Sequence, residues 1–418
     1  MSTSALFRPL TLPNGAVLRN RIAKAAMEEN LANTDHAPDE RLCRLYGRWS
    51  EGGAGLLLTG NVMVDGHAMT GPGGVVVESL KHFTALRRWA EAGRSHGTHF
   101  WMQINHPGRQ MRASLRQRTI APSPIPMRLG KFSKMFDVPQ EMTEHDIEDV
   151  FARYVETAMI AEEAGFTGVQ IHAAHGYLLS QFLSPLTNQR TDRWGGTLHN
   201  RARLLLDILR EIRSRVSQNF CLAVKINSAD FQRGGFEMTD AVQVVRWLNE
   251  VNVDLVEISG GSYEAPAMQG GNTVEGKLER EAYFLKFAKE IRSIAAMPVM
   301  LTGGIKRKII AEQVIGEGIS VVGMATALAM QPDLPNLWRE GNAIDIVAPR
   351  VNWRSKPLAS LATRSLVDAQ IQRLSRGKKP TRCALPALAL LQAQRRTARR
   401  TKQYIVWAGS QKQKGIAQ

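Results

Sequence analysis

Two histidines and a tyrosine stand close together in the run IHAAHGYLL, at positions 172, 175 and 177. Imidazole N–H groups can stabilise negative charge growing on a carbonyl oxygen. A phenol with an ordinary pKa near ~10 can give its proton to a carbanion or enolate, which is more basic. His172, His175 and Tyr177 therefore read as an oxyanion site beside a proton donor. Two other readings stay open. His-x-x-His can chelate a metal, although no third or fourth ligand stands out, and two histidines can be hydrogen-bond-satisfied groups on the rim of a fold. Lys225 lies inside the apolar run CLAVKIN. A buried ammonium is costly without a partner, so it faces either a structural carboxylate or an electron-rich ligand; Schiff-base chemistry is also open. Gln103, in HFWMQI, could read an amide-like ring edge or be satisfied by nearby backbone. Gly303–Gly304 and Gly323–Thr326 are small-residue turns of the kind that let backbone N–H groups approach a phosphate, with a hydroxyl from Thr326.

These residues need positioning elements, and the chain supplies eight apolar runs: 22–27, 55–64, 99–104, 167–172, 221–227, 253–259, 298–302 and 319–324. Most are continuous or β-branched in character, as strands buried on both faces are. Between them, segments such as 79–96, 143–165, 198–216, 239–251 and 280–294 show helical spacing. Start signals accompany them: Thr143 with Asp146 three residues on, and Asp240 after Thr239 in a first turn. This β/α alternation predicts an α/β fold, a parallel (β/α)8 barrel. A doubly wound open sheet competes, but no GxGxxG follows the first strand. In a barrel, functional residues sit where strands end and βα loops begin, and the residues named above cluster there. Two long loops, 105–142 and 259–279, are natural lids. The segment NQRTDRWGGTLHNR (188–201) reads as structural, ordering the loop after strand four and capping the next helix.

The chain has 418 residues, of which 44% are hydrophobic and 22% charged, which excludes a disordered chain, a collagen and a coiled coil. Residues 164–189 lack charges but hold His, Gln and Pro, so they are not a membrane span. The opening MSTSALFRPL carries no secretory pattern. Three distant cysteines form no CxxC pair, which argues against a cysteine-ligated zinc or iron–sulfur site and fits a reducing cytoplasm. Of the net charge of +16, residues 371–418 contribute +12 from twelve Lys/Arg and no Asp/Glu, leaving the body nearly neutral. Arg395, Arg396, Arg399 and Arg400 are expected to form one face of a solvated basic helix; contact with an acidic membrane surface, nucleic acid or a partner subunit is the alternative.

From about residue 6 to 337 the chain resembles the Old Yellow Enzyme family of FMN-dependent ene-reductases, also called NADH:flavin oxidoreductases. The resemblance rests on LFRPLTLPNGAVLRNRIAKAAM at the start, QINHPGRQ (103–110), GVQIHAAHGYLLSQFLSPLTNQRTDRWGG (168–196), VKINSADFQRGG (224–235) and LTGG (301–304). It implies a TIM barrel, residues 1–345, with non-covalent FMN at its C-terminal mouth and NADH or NADPH as reductant. Residues 346–418 are a C-terminal extension, partly helical or disordered. By resemblance, Gln103 reads the flavin ring and Lys225 lies at its N1/O2 edge. Ala26, Met27, Glu28 and Gly60 line the isoalloxazine, and Gly303, Gly304, Ala325 and Thr326 hold the phosphate. His172 and His175 bind the carbonyl oxygen of an enone or related activated alkene, and Tyr177 donates a proton. Two positions depart from the family pattern. Glu28 stands where Cys or Thr is frequent, so a carboxylate would oppose charge on reduced flavin; Thr326 stands where many members place a phosphate-binding arginine. A cytoplasmic enzyme and a homo-oligomer are compatible with this reading. The competing functions are a flavin barrel with another redox substrate, a tail-tethered binding module, and a lysine-dependent aldolase.

Overall fold

Alternation along eight short strands decides where each side chain points. In the computed structural model, which describes residues 4–267, 281–342, 344–381 and 384–416, these are β1 (Ile22–Lys24), β2 (Leu56–Leu58), β3 (His99–Asn105), β4 (Gly168–Ala173), β5 (Cys221–Asn227), β6 (Leu255–Ser259), β7 (Val299–Leu301) and β8 (Val321–Met324). Each pairs in parallel with its neighbours in chain order, and β8 pairs with β1, so the ring is closed. Successive side chains on a strand point to opposite faces. One set, including Ala23, Leu56, Leu58, Trp101, Cys221, Ala223, Leu255, Met300 and Val321, fills the lower interior of the barrel. The alternate set, including Ile22, Leu57, Phe100, Ile171, Val224, Ile258, Leu301 and Val322, packs outward into the main core against the helices. An antiparallel hairpin, Leu10–Thr11 with Val17–Leu18, adds Leu12 and Leu18 to the inner cluster and floors the barrel.

The helices are α1 (Glu40–Glu51), α2 (Phe83–Arg94), α3 (Glu144–Glu163), α4 (Leu178–Leu183), α5 (Leu198–Arg215), α6 (Met238–Glu250), α7 (Leu285–Arg292), α8 (Lys308–Gly316), α9 (Thr326–Met330), α10 (Leu334–Arg339), α11 (Lys356–Leu374) and α12 (Pro386–Ile416). The Thr143/Asp146 capping box opens α3 as expected. Helix α6 starts earlier than its sequence suggests: Glu237, not Thr239, caps it in a reciprocal box with Asp240. The 188–201 segment is structural. Asn188 Nδ2 donates to the carbonyls of Phe182 and Trp194, and Arg190 NH1 donates to those of Pro122 and Met142. The 105–142 loop is built from 3-10 turns and a short parallel pair, Ile120–Ala121 with Gln140–Glu141. Of the 259–279 loop, the part beyond residue 267 lies outside the described residues.

The expectation of a solvated basic helix at the C-terminus is corrected on one face. α12 does form, and Arg395 and Arg399 are exposed. Arg400 (8% exposed), Tyr404 (0%) and Trp407 (8%), however, are buried together with Ala408. Tyr404, Trp407 and Ala408 pack on Met63, Met69, Val76, Met111 and Leu115 of the barrel rim. The apolar residues recur at helical spacing, and the surrounding cations obscure them in a reading of charge alone. Tyr404 OH donates to the Gly66 carbonyl at 3.0 Å. Tyr404→Phe removes that bond while keeping the ring, so stability falls by about 0.5–1.5 kcal/mol in urea titration; an unchanged midpoint would mean the helix is not held there. Among the described residues, no helix is long and apolar enough to cross a membrane.

Candidate active site

In the upper barrel the inward side chains become polar. Ladder register sets His172 beside Lys225, Lys225 beside Glu257, and Gln103 beside Gln170. Gln103 Nε2 donates to Gln170 Oε1 (2.7 Å), Gln170 Nε2 donates to Glu257 Oε2 (2.7 Å), and Glu257 Oε1 lies 2.8 Å from Lys225 Nζ. All four residues are buried. Of the two partners open to Lys225 from sequence, a structural carboxylate is therefore present. An ammonium has three donors, and among the described residues Glu257 is its ion-pair partner. Glu257 was not singled out from sequence, although an acid inside the apolar run VDLVEIS was a usable signal.

At the end of β4 the chain turns through His175 (φ 62°) and Gly176 (φ 73°), bringing His175 back beside His172. Asn61 Nδ2 donates to Glu28 Oε1 (3.2 Å), which turns Asn61 Oδ1 toward His172 Nδ1 (2.9 Å). This places the His172 proton on Nδ1. The His172 Nε2 lone pair then faces His175 Nδ1–H (3.2 Å), and His175 Nε2 accepts from the Ser259 hydroxyl (2.7 Å). Burial, then His175 and Lys225 for His172, and burial then Lys225 for His175, push both imidazoles well below their ordinary range. Both are neutral at pH 7, and a substrate oxygen would take the N–H that now bridges the pair. Among the described residues, no group of three or more His, Cys, Asp or Glu is arranged to hold a metal ion.

Tyr177 is 4% exposed and its ring lies edge-on to His172, with centroids 4.8 Å apart. Its hydroxyl is 3.0 Å from that of Tyr263 and 3.5 Å from Glu28 Oε1. Burial first, then Tyr263 and Glu28, raises the phenol well above its ordinary range, so it keeps its proton at pH 7. The structure brings Tyr177, His172 and His175 together, and adds Tyr263, Asn61, Ser259 and Arg364. Arg364, from α11, reaches Glu28 Oε2 at 2.9 Å. The Glu28 carboxylate expected to oppose charge on reduced flavin is thus found with a partner of its own. It is paired with a guanidinium and turned toward Asn61 and the two tyrosines.

Burial alone would raise the Glu28 carboxyl, but Arg364, then Thr70, Asn61 and Arg112, together hold it below the ordinary range. A depressed carboxyl contributes stability that is present above the unfolded value and lost as pH falls through the folded value. In Arg364→Gln the burial effect prevails, so the charged form of Glu28 is disfavoured near neutrality. The variant should be less stable than wild type by about 1 kcal/mol at pH 7, discounted because Arg364 is half exposed. Urea midpoints of the two proteins should converge as pH falls through the wild-type folded value, below the ordinary carboxylate range; a constant gap would refute the pairing.

Residues 5–343 match the model of the NADH:flavin oxidoreductase / NADH oxidase family. The chain belongs to that family. It is 39% identical over 353 residues to the NADH-dependent flavin oxidoreductase iliE of Neonectria sp., covering 78% of this chain and 46% of that one, so it spans about half the length of that relative. It is 35% identical to the iliE protein of Hypocrea jecorina, covering 78% of this chain and 87% of that one. Among solved structures, a 2-naphthoyl-CoA reductase complex matches with a TM-score of 0.74 at 25% identity, covering 81% of this chain and 52% of that one. Morphinone reductase shares the fold with a TM-score of 0.69 at 20% identity, covering 83% of this chain and 92% of that one.

NADH:flavin oxidoreductases are enzymes that use FMN, and the strand ends of this chain fit that group. Among the described residues, the N–H groups of Gly303, Gly304 and Ala325 make no hydrogen bond. Gly303 (φ 131°) and Gly304 (φ 73°) hold conformations that side-chain-bearing residues rarely adopt, and α9 begins at Thr326. Free N–H donors on two adjacent strand ends suit a phosphate. Ala26 and Met27 follow β1, and Gly60 follows β2. A Cβ on Gly60 would come within 2.2 Å of the Met27 carbonyl oxygen, so only glycine lets these two loops approach. Gln103 and Lys225 come from β3 and β5. Behind them Lys24, buried between β1 and α1, binds Glu29 (3.2 Å), Tyr46 OH (2.9 Å) and the Leu58 carbonyl (2.8 Å) and serves as scaffold.

Proposed function

We propose that this protein is an FMN-dependent enzyme that uses NADH to reduce the C=C bond of α,β-unsaturated carbonyl compounds. The observation that carries the reading is the Tyr177 hydroxyl, kept protonated by burial and packed against the neutral His172/His175 pair, over the layer that holds Gln103 and Lys225. Gln103 and Lys225 would hold the edge of the FMN ring, with Ala26, Met27 and Gly60 along it. Gly303, Gly304, Ala325 and Thr326 would hold its phosphate. FMN, when bound, supplies a two-electron carrier between nicotinamide and alkene. Lys225 places positive charge where a reduced ring would carry negative charge.

His175, through the Nδ1–H that His172 Nε2 now accepts, receives the substrate's carbonyl oxygen and stabilises the charge that grows on it as hydride reaches Cβ, while His172 holds His175 in position. Tyr177 gives its proton to Cα, so the C=C bond becomes C–C with one hydride and one proton added. Tyr263, at hydrogen-bond distance, is placed to return a proton to Tyr177. The relatives named NADH-dependent favour NADH as the reductant. The test is a visible spectrum of purified protein, an anaerobic NADH titration and addition of 2-cyclohexenone. Bleaching by NADH and recovery of colour with the enone are expected. Protein that binds no FMN, or whose reduced form no activated alkene reoxidises, would refute the proposal.

A further inference from the structure

Where α12 docks on the loop after β1, it borders a solvent-open pocket of about 200 Å³ lined by Ala32, His36, Arg41, Arg399, Arg400 and Tyr404, among others. A water occupies about 30 Å³ in the liquid, so the space exceeds that of a single solvent molecule. Arg400 is 92% buried, yet among the described residues it has no ion-pair partner. Its NH1 donates to the Ala32 carbonyl at 3.1 Å, and its Nε has no hydrogen-bond partner. The nearby carboxylate, Asp39, is already occupied. Arg41 Nε lies 3.1 and 3.0 Å from its two oxygens, and Arg41 NH2 lies 2.7 Å from one of them. Arg399 is exposed at the cavity and, among the described residues, forms no ion pair. Three guanidinium groups thus converge on one space with one carboxylate among them. Burying a cation without a counter-charge is unfavourable, and folding alone gives no reason to keep Arg400 there. Burial first, then repulsion from Arg41, Arg396 and Arg399, holds the Arg400 guanidinium down at about 10 against the opposing pull of Asp39.

We propose that this cavity is a binding site for a phosphate dianion, free or as a phosphomonoester. Guanidinium forks match tetrahedral oxyanions with several acceptor oxygens, and the excess of two positive charges calls for a dianion rather than a carboxylate. The site lies apart from the flavin-phosphate cradle, on the seam between the barrel and its C-terminal extension, and stands whatever alkene the enzyme reduces.

The test uses full-length, FMN-saturated protein, so that the flavin-phosphate cradle is filled. The thermal midpoint is followed in inorganic phosphate and in sodium chloride of equal ionic strength. Phosphate should raise the midpoint above chloride. Arg399→Ala, whose exposed side chain supports no packing, should raise the half-saturating phosphate concentration about tenfold, as loss of one charge-assisted hydrogen bond would. Arg400→Gln should do so at least as strongly. Adenosine 2′-monophosphate and coenzyme A are run beside their dephosphorylated forms. A shift confined to a phosphorylated form names the carrier, a shift with inorganic phosphate alone names the free ion, and either supports the site. Absence of a phosphate-specific shift in wild type, or its full retention in both variants, would overturn the inference.

Discussion

Tyr177→Phe is expected to slow alkene reduction by about 10²–10⁴-fold, the range for loss of a positioned general acid. The phenyl ring keeps the edge contact with His172, so substrate placement is preserved and only the O–H is lost. Reduction of the flavin by NADH needs no proton from this group and should stay near the wild-type rate. Rapid-mixing measurements of the two half-reactions separate the cases. Equal slowing of both would contradict the donor role, and no slowing of the alkene step would move the donor elsewhere. Tyr263→Phe should cost less in the alkene step, because Tyr177 still carries its first proton.

The second large effect is expected at Lys225. Lys225→Met fits the buried strand but leaves the Glu257 carboxylate with no cation at 0% side-chain exposure. Breaking a buried pair from one side costs about 3–5 kcal/mol, more than the pair itself contributes. Lys225→Met combined with Glu257→Gln removes the stranded charge and should recover most of the loss in urea titration. FMN affinity then separates structure from function. If Lys225 serves only the ion pair, the double variant binds FMN as wild type does; if it also faces the ring edge, binding stays weak. Stability that the double variant fails to recover would argue against the pair as the source of the loss.

The inward-facing residues were the most legible part of the site. In a parallel barrel the strand period and the closed ring leave two faces, so a polar residue near the C-terminal end of an apolar run projects over the mouth when it shares the inward parity, which Lys24 at the end of β1 does not. Gln103, His172 and Lys225 follow that rule. Glu257 follows it too, but an isolated acid in an apolar run has no signature until its register with Lys225 is known. Arg364 and Tyr263 were not legible. Arg364 meets Glu28 across 336 positions of sequence, and Tyr263 sits in a glycine-rich loop with no periodic pattern. Charge composition misled the reading of α12, because Arg400 and the rings of Tyr404 and Trp407 share a face whose partners lie on the distant rim.

The hairpin floor has a kinetic corollary. With Leu12 and Leu18 stopping the lower end, the cylinder is open, among the described residues, at its upper end. On the proposed reaction, the nicotinamide and the alkene would use it in turn, each leaving before the other enters, and an excess of either visitor should jam the queue.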